Sequence, residues 1–334
     1  MPPSIAVVAP GAMGSAIATR LVEHGCKVLT LLKGRSAATQ ARAAAAGMTG
    51  ASEAEIANAD IILSIVPPGE AVALAEQLAT LINRNAKKPV VVDCNAVNVE
   101  TIRTIEDIVL SSGARLVDAA IIGLPPKPGT KGPAFYVSGD AAGDIAVLGQ
   151  LGLDLRLIEG PIGAASALKM SYAGINKGLT GLGAAMVLAA TRAGAADALR
   201  DELALSLPQV QARLANALPD MLPKAYRWVA EMREIAGFLG EDHPAALIYE
   251  GFARLFEHIA ADVQGQGTEA AQLVAFAERC KAKTSAQPSP RVIASAAAQR
   301  SNPGPSKDSG LRRCARNDGD FYPAVSSGIA SSRS

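Results

Sequence analysis

Ile5-Ala6-Val7-Val8-Ala9-Pro10-Gly11-Ala12-Met13-Gly14-Ser15-Ala16-Ile17-Ala18-Thr19-Arg20-Leu21-Val22-Glu23-His24-Gly25 decides the architecture. Ile5 to Ala9 is an unbroken apolar run and reads as a buried strand. Pro10-Gly11-Ala12 interrupts it, Met13 to His24 has helical spacing, and Gly25 suits a left-handed C-cap. A glycine turn between a first strand and a first helix is where an α/β fold grips a pyrophosphate. Gly11 lets the backbone approach a phosphate and Gly14 lets the helix pack on the strand. The N-terminal turn, through Ala12 and Met13, turns unpaired N–H groups toward the anion. Ala9 stands at the first glycine of the G-x-G-x-x-G fingerprint, so the motif is incomplete and a plain tight turn is the competing reading.

Outward from this unit, strands and helices alternate. Lys27–Leu32, Ile61–Val66, Pro89–Asp93, Arg115–Ala120, Ala134–Ser138 and Leu155–Ile158 read as strands. Ser36–Ala46, Glu70–Leu81, Val99–Ser112 and a segment starting near Asp140 read as helices. The pattern predicts a Rossmann-like α/β domain with a doubly wound, mostly parallel sheet over residues 1–160. After Gly160 the strand signal stops. Ala164–Ala193 reads as one long helix, although Gly174, Gly178, Gly181 and Gly183 each weaken it by about 1 kcal/mol in isolation. That many glycines call for another backbone packed closely against them. Leu199–Leu205, Gln209–Ala217, Lys224–Phe238, Pro244–Val263 and Thr268–Ala282 complete an all-α domain over residues 161–283, expected to carry substrate and subunit contacts. Residues 284–334, rich in Ser, Pro, Gly, Arg and Asn, lack a hydrophobic period and read as a disordered tail whose removal leaves fold and turnover intact.

With 32 basic and 31 acidic side chains in 334 residues, the chain lacks the basic excess of a nucleic-acid binder. Its apolar runs are too short to span a membrane, and no positive charge precedes residues 4–18 as a signal peptide requires. Cys26, Cys94, Cys280 and Cys314 lie far apart, without metal-ligand or disulfide spacing, and neither do His24, His243 and His258 form a metal motif. No metal is expected, and a reducing cytoplasm is the simplest compartment.

The residues after the second strand choose the cofactor. NAD binding calls for an acid there to hold the ribose, but the chain has Leu31-Leu32-Lys33-Gly34-Arg35-Ser36. Lys33, Arg35 and the Ser36 hydroxyl would attract a 2′-phosphate, so NADP is expected over NAD. Ordinary solvated loop charges are the other reading of the two cations. Val66-Pro67-Pro68 ends its strand where ligands lie in open α/β sheets, which places Val66 and Pro67 beside the cofactor.

Four segments together resemble the β-hydroxyacid dehydrogenase superfamily, which includes 6-phosphogluconate and 3-hydroxyisobutyrate dehydrogenases. They are Pro10-Gly11-Ala12-Met13-Gly14, Ser64-Ile65-Val66-Pro67-Pro68, Asp118-Ala119-Ala120-Ile121-Ile122-Gly123, and Gly163 through Lys169-Met170-Ser171-Tyr172-Ala173-Gly174. The helical half, notably Ala225-Tyr226-Arg227-Trp228-Val229-Ala230-Glu231-Met232, looks like a branch with a variant C-terminal domain. The resemblance implies that Lys169 is the general acid/base for the substrate hydroxyl, that Asn95 lies near nicotinamide or substrate, and that Ile122-Gly123 border the substrate. Desolvation beside a cationic nicotinamide favours a neutral lysine able to take a proton. Tyr172 and Asn176, at i+3 and i+7, share a helix face with Lys169 and join it as candidate catalytic residues.

The chain also departs from the superfamily pattern. Ala173 replaces the asparagine four residues after the lysine, Asn176 replaces a further acid, and Ile122-Gly123-Leu124 replaces the Ser-Gly-Gly that grips a carboxylate. Asp93 and Asp118 equally suit capping acids. Arg227 and Glu231 form an i, i+4 pair beside Trp228 that is either solvated or lines the cleft. The reading is an NADP-dependent oxidoreductase acting on a hydroxyl or carbonyl of a small organic acid, in a homodimer or larger assembly built on the long helix. An imine or ketone reductase with a less polar substrate and a non-catalytic NADP sensor are the alternatives.

Overall fold

A computed structural model describes residues 2–285 apart from Pro128, Lys131 and Glu241; of the expected tail, 284–334, all but residues 284 and 285, which end the last helix, lies outside these residues. Eight strands form one sheet in the order β3-β2-β1-β4-β5-β6-β7-β8. They are β1 (Ile5–Val8), β2 (Val28–Thr30), β3 (Thr49–Gly50), β4 (Ile61–Ser64), β5 (Val90–Asp93), β6 (Arg115–Ile122), β7 (Ala134–Ser138) and β8 (Asp154–Leu157). All neighbouring pairs are parallel except β6 with β7, which pair Asp118 to Ser138 through Ile122 to Ala134. The antiparallel step has a plain cause: no helix lies between those strands, and a parallel return needs a long crossover.

The central strands β1, β4 and β5 are buried along their length because both faces are covered. Alternate residues serve different cores. Ile5, Val7, Leu63 and Val92 face one helical layer, and Ala6, Val8, Ile62 and Val91 face the other. The layers include α1 (Ala12–Glu23), α2 (Ala37–Ala45), α3 (Glu53–Ala57), α4 (Ala71–Asn83), α5 (Val99–Ser111) and the short α6 (Val147–Gln150). Gly25 follows the C-cap of α1 with φ +82°, as its left-handed position demands. Strand order reverses at β1, with β2 on one side and β4 on the other, and this switch point opens the crevice where α/β sheets take ligands.

The rest of the described chain is helical: α7 (Ala164–Arg192), α8 (Ala196–Ser206), α9 (Pro208–Met221), α10 (Ala225–Leu239), α11 (Ala246–Gln264) and α12 (Thr268–Ser285). Its core gathers Met170, Val187, Leu214, Met232, Phe256 and Phe276. The glycines of α7 admit side chains, not the backbone that the sequence led us to expect. A Cβ at Gly181 would stand 2.8 Å from Phe252, and one at Gly183 would stand 2.3 Å from Leu214. Aromatic rings of α11 and a leucine of α9 thus occupy the room that the missing methyl groups leave. No helix among the described residues is long and apolar enough to cross a membrane.

Candidate active site

The glycine turn has the features an anion cradle needs. Gly11 is the N-cap of α1, no side chain caps the helix, and no acid lies in its first turn. The N–H groups of Ala12 and Met13 therefore keep their positive end free. A Cβ at Gly11 would meet nothing within 4 Å, whereas one at Gly14 would stand 2.2 Å from the Ala9 carbonyl oxygen. One glycine opens space on the ligand side and the other closes the helix onto the turn. From α2, Arg42 donates to the Pro10 carbonyl at 3.2 Å, a cation near this loop that the sequence reading passed over. Lys33, Gly34 and Arg35 line a cavity of about 480 Å³ with Val8, Ala51 and Glu53. Ser36 caps α2, its hydroxyl accepting from the Thr39 N–H at 3.3 Å. That engagement is local helix chemistry, in which the hydroxyl oxygen serves as acceptor.

Hydrogen bonds run unbroken from this turn to Lys169. The Ala9 N–H donates to the Ile65 carbonyl at 3.2 Å, and the next residue's N–H, that of Val66, donates to Asn95 Oδ1 at 2.7 Å. The Lys169 ammonium in turn reaches the Asn95 carbonyl at 3.3 Å and the Cys94 carbonyl at 3.5 Å. Three strand ends, β1, β4 and β5, lie side by side, so the turn and the amine are about 10 Å apart at the usual strand spacing. Pro67 follows Val66 and leads into a single 3-10 turn, which stiffens that wall.

Asn95, expected near nicotinamide or substrate, is held in a network of hydrogen bonds. Its Nδ2 donates to Ser64 Oγ at 2.8 Å and to Asp93 Oδ2 at 2.6 Å, and its Oδ1 holds Val66. Buried and almost fully used, the amide clamps the loops together and presents a carbonyl to Lys169, so it positions the site. Asp93, buried beneath it, is pushed up to about 6 by desolvation, against the hydrogen bonds from Asn95. Asp118 caps α7: it accepts from the N–H groups of Gly163 and Ser166 and from the hydroxyls of Ser138 and Ser166 at 2.7–3.1 Å. A β6 carboxylate thereby fixes where α7 starts and where Lys169 stands. Ile122 and Gly123 end β6 on the same edge of the sheet, and Gly123 backs onto Pro133 at φ +135°.

Burial holds the Lys169 ammonium below the ordinary lysine range, and the charges of Asp93 and Asp118 only partly oppose this. Among the described residues no carboxylate forms an ion pair with it. Tyr172 and Asn176 do not join it. Tyr172 is 52% exposed, and both line a small groove with Ile175, Leu179 and Arg213. Arg213 donates to the Asn176 side chain and, at 3.1 Å, to its carbonyl. The i, i+3, i+7 spacing is as read, but α9 packs against that flank of α7 and claims Asn176.

Lys177, two turns further along α7, is engaged by α10. Eight residues after Lys169, its ammonium contacts the Glu231 carboxylate and lies 5.1 Å from the centre of the Trp228 ring. Glu231 therefore pairs across to α7, and Arg227 stacks on Tyr226 instead, 6.0 Å from its ring centre. Burial, then the charges of Lys169, Arg227 and Lys224, push Lys177 down to about 7, while the Glu231 contact pulls the other way. Glu234, one turn on, accepts the Asn98 N–H at 3.1 Å and ties α10 to the start of α5. The signal for Lys177 was present in the sequence as the row Lys169, Ala173, Lys177 at i, i+4 and i+8.

An open glycine cradle, a lysine-arginine cavity and a desolvated lysine along one sheet edge define a nicotinamide-dinucleotide-binding protein built on a Rossmann-like sheet. Residues 4–145 match the family described as the NAD binding domain of 6-phosphogluconate dehydrogenase, and residues 190–259 match a domain of unknown function. Its NAD-binding domain and overall fold are similar to those of β-hydroxyacid dehydrogenases, joined here to the helical domain of unknown function. A solved conserved protein of unknown function, described as structurally similar to 3-hydroxyacid dehydrogenases, is 27% identical with TM-score 0.63, over 79% of this chain and 99% of its own. The 3-hydroxyisobutyrate dehydrogenase of Mycobacterium tuberculosis, solved with L-serine, is 18% identical with TM-score 0.59, over 84% and 99%. An imine reductase from Myxococcus stipitatus in complex with NADP+ is 19% identical with TM-score 0.51, over 84% and 100%; a variant of it was solved with NAD+. No curated protein sequence matches the chain.

Proposed function

We propose that this protein is an NADP-dependent oxidoreductase that interconverts a hydroxyl and a carbonyl on a small organic acid, with Lys169 as general acid/base. The observation that carries the reading is the Lys169 amine: desolvated, unpaired by any described carboxylate, and held by two carbonyls at the strand end next to the glycine cradle. When bound, the nicotinamide supplies hydride exchange. Gly11, Ala12, Met13 and Gly14 would hold the pyrophosphate, and Val66 and Pro67 would wall the ring side. Lys169 takes the hydroxyl proton in oxidation and returns it in reduction. The same amine supports hydroxyl chemistry over imine reduction and over a sensor without turnover.

Lys33 and Arg35 support NADP over NAD, outnumbering the one acid, Glu53, that shares their cavity. Replacing both by alanine is expected to weaken NADPH binding about tenfold or more while leaving NADH nearly unchanged, since charged hydrogen bonds to a phosphate are worth roughly 1.5–3 kcal/mol. Fluorescence titration checks this, and equal losses for both cofactors would refute the preference. A panel of 3-hydroxy acids, sugar acids and cyclic imines, followed by NADPH absorbance, tests the reaction. Turnover confined to imines would replace the hydroxyl reading.

Cys26, Cys94 and Cys280 are buried and form no disulfide among the described residues, which supports the cytoplasmic setting. Assembly is supported by α7, where Tyr172, Ile175, Leu179, Leu182 and Met186 are all exposed. Their 3-4-3-4 spacing is that of a self-complementary helix seam. Sedimentation at micromolar concentration is expected to show a dimer or larger; a monomer would contradict it.

A further inference from the structure

The loop after β6, Ile122-Gly123-Leu124, carries no side-chain hydroxyl, amide or charge and so offers an anion no side-chain donor. The cations lie elsewhere. Lys177 is about 12 Å beyond Lys169 along α7 at 1.5 Å per residue, with Ala173 between them on the same row. Only 15% of its side chain is exposed, and its sole ion-pair partner among the described residues is Glu231. Lys169 has none. Glu234, the next acid of α10, is taken by the Asn98 N–H. Among the described residues Lys177 thus has one carboxylate, Glu231, while Lys169 has no ion pair and feels the charges of Asp93 and Asp118 without contact, so these desolvated cations favour an incoming anion. Trp228, locked edge-on against Phe256 with ring centres 5.2 Å apart, forms a rigid floor under Lys177.

We propose that Lys177 binds the substrate carboxylate, taking it in exchange for Glu231, so that the anion site has moved from the loop after β6 to the α7–α10 wall. This rests on the oxidoreductase reading and specifies its substrate as an anion bridging Lys177 and Lys169. No covalent step is involved: one carboxylate replaces another on the same ammonium.

Trp228 is the only tryptophan in the chain and lies under the group in question, so it reports the exchange directly. The full-length protein, saturated with NADP+, is titrated with malonate and, as the uncharged control, with malonamide. Malonate is expected to change Trp228 emission saturably and malonamide to have no effect. Lys177→Met should weaken malonate about tenfold or more, the loss typical of a charge-assisted contact. Lys177→Arg should retain binding, and Glu231→Gln, which removes the competing carboxylate, should tighten it. Equal malonate binding by Lys177→Met and wild type, or no saturable response in either wild type or Glu231→Gln, overturns the assignment. NADPH titration of the same samples reports their folding and separates the two readings. A wild type that binds no NADPH sinks the oxidoreductase, whereas intact binding with Lys169-dependent turnover and an unmoved malonate constant sinks only the Lys177 site.

Discussion

Lys169→Met is expected to lower turnover by about 10²–10⁴-fold, the usual contribution of a positioned acid/base, with NADPH affinity nearly unchanged. Among the described residues the amine hydrogen-bonds only to the Cys94 and Asn95 carbonyls, and methionine fills similar volume without asking anything of them. The pH profile identifies the role. Burial lowers the Lys169 pKa, so the neutral amine that oxidation needs is populated at lower pH than in an ordinary lysine. Oxidation should therefore rise with pH along a one-proton limb and level off before the usual lysine range. Reduction, which needs the ammonium, should fall through the same limb. Lys169→Arg keeps the charge but cannot release the proton, so it should be as inactive as methionine. Steady-state kinetics from pH 6 to 10 measure this. An arginine variant with near-wild-type oxidation would show that Lys169 supplies charge and not proton transfer.

Gly14→Ala and Gly11→Ala are expected to diverge. At Gly14 the new methyl would collide with the Ala9 carbonyl at 2.2 Å and press on Val7 at 3.4 Å. Ala9 cannot retreat freely, because its N–H is bound to Ile65. Overpacking of this kind costs roughly 1–3 kcal/mol, so Gly14→Ala should lower both stability and NADPH affinity. At Gly11 the backbone is extended, with φ −72°, and the methyl meets no atom. Gly11→Ala should therefore keep the wild-type Tm yet bind NADPH at least tenfold more weakly, about 1.4 kcal/mol, because its methyl enters the phosphate's space. Thermal melts and NADPH titrations decide it; unchanged affinity in Gly11→Ala would move the pyrophosphate away from this turn.

Local signals carried most of the architecture, and the departures share physical causes. Buried strands announce themselves by apolar runs, so β1, β4, β5 and β6 stand close to where the sequence puts them. The two-residue β3, exposed and polar, has no such run. The short α3 did leave a mark, Ser52-x-x-Glu55, and the structure closes it into a capping box. In α9, a helix passes through Pro219, where the sequence suggested an earlier stop. At the site, Lys169 was legible from its segment and the glycine turn from its place between strand and helix. What spacing could not reveal is which flank of α7 meets the sheet. Tyr172 and Asn176 share a side with Lys169 on paper, but packing of α9 and α10 engages Asn176 with Arg213 and Lys177 with Glu231. The clamp that Asn95 makes was not legible either, because its partners Ser64, Asp93 and Val66 converge only once three strands are aligned.

A crystal structure of the protein with NADP+ bound tests the central claim most directly. The account predicts the pyrophosphate on the Gly11–Gly14 turn, the 2′-phosphate at Lys33 and Arg35, and the nicotinamide face turned to the Lys169 amine. A dinucleotide seated elsewhere, or a ring directed away from that amine, would contradict it.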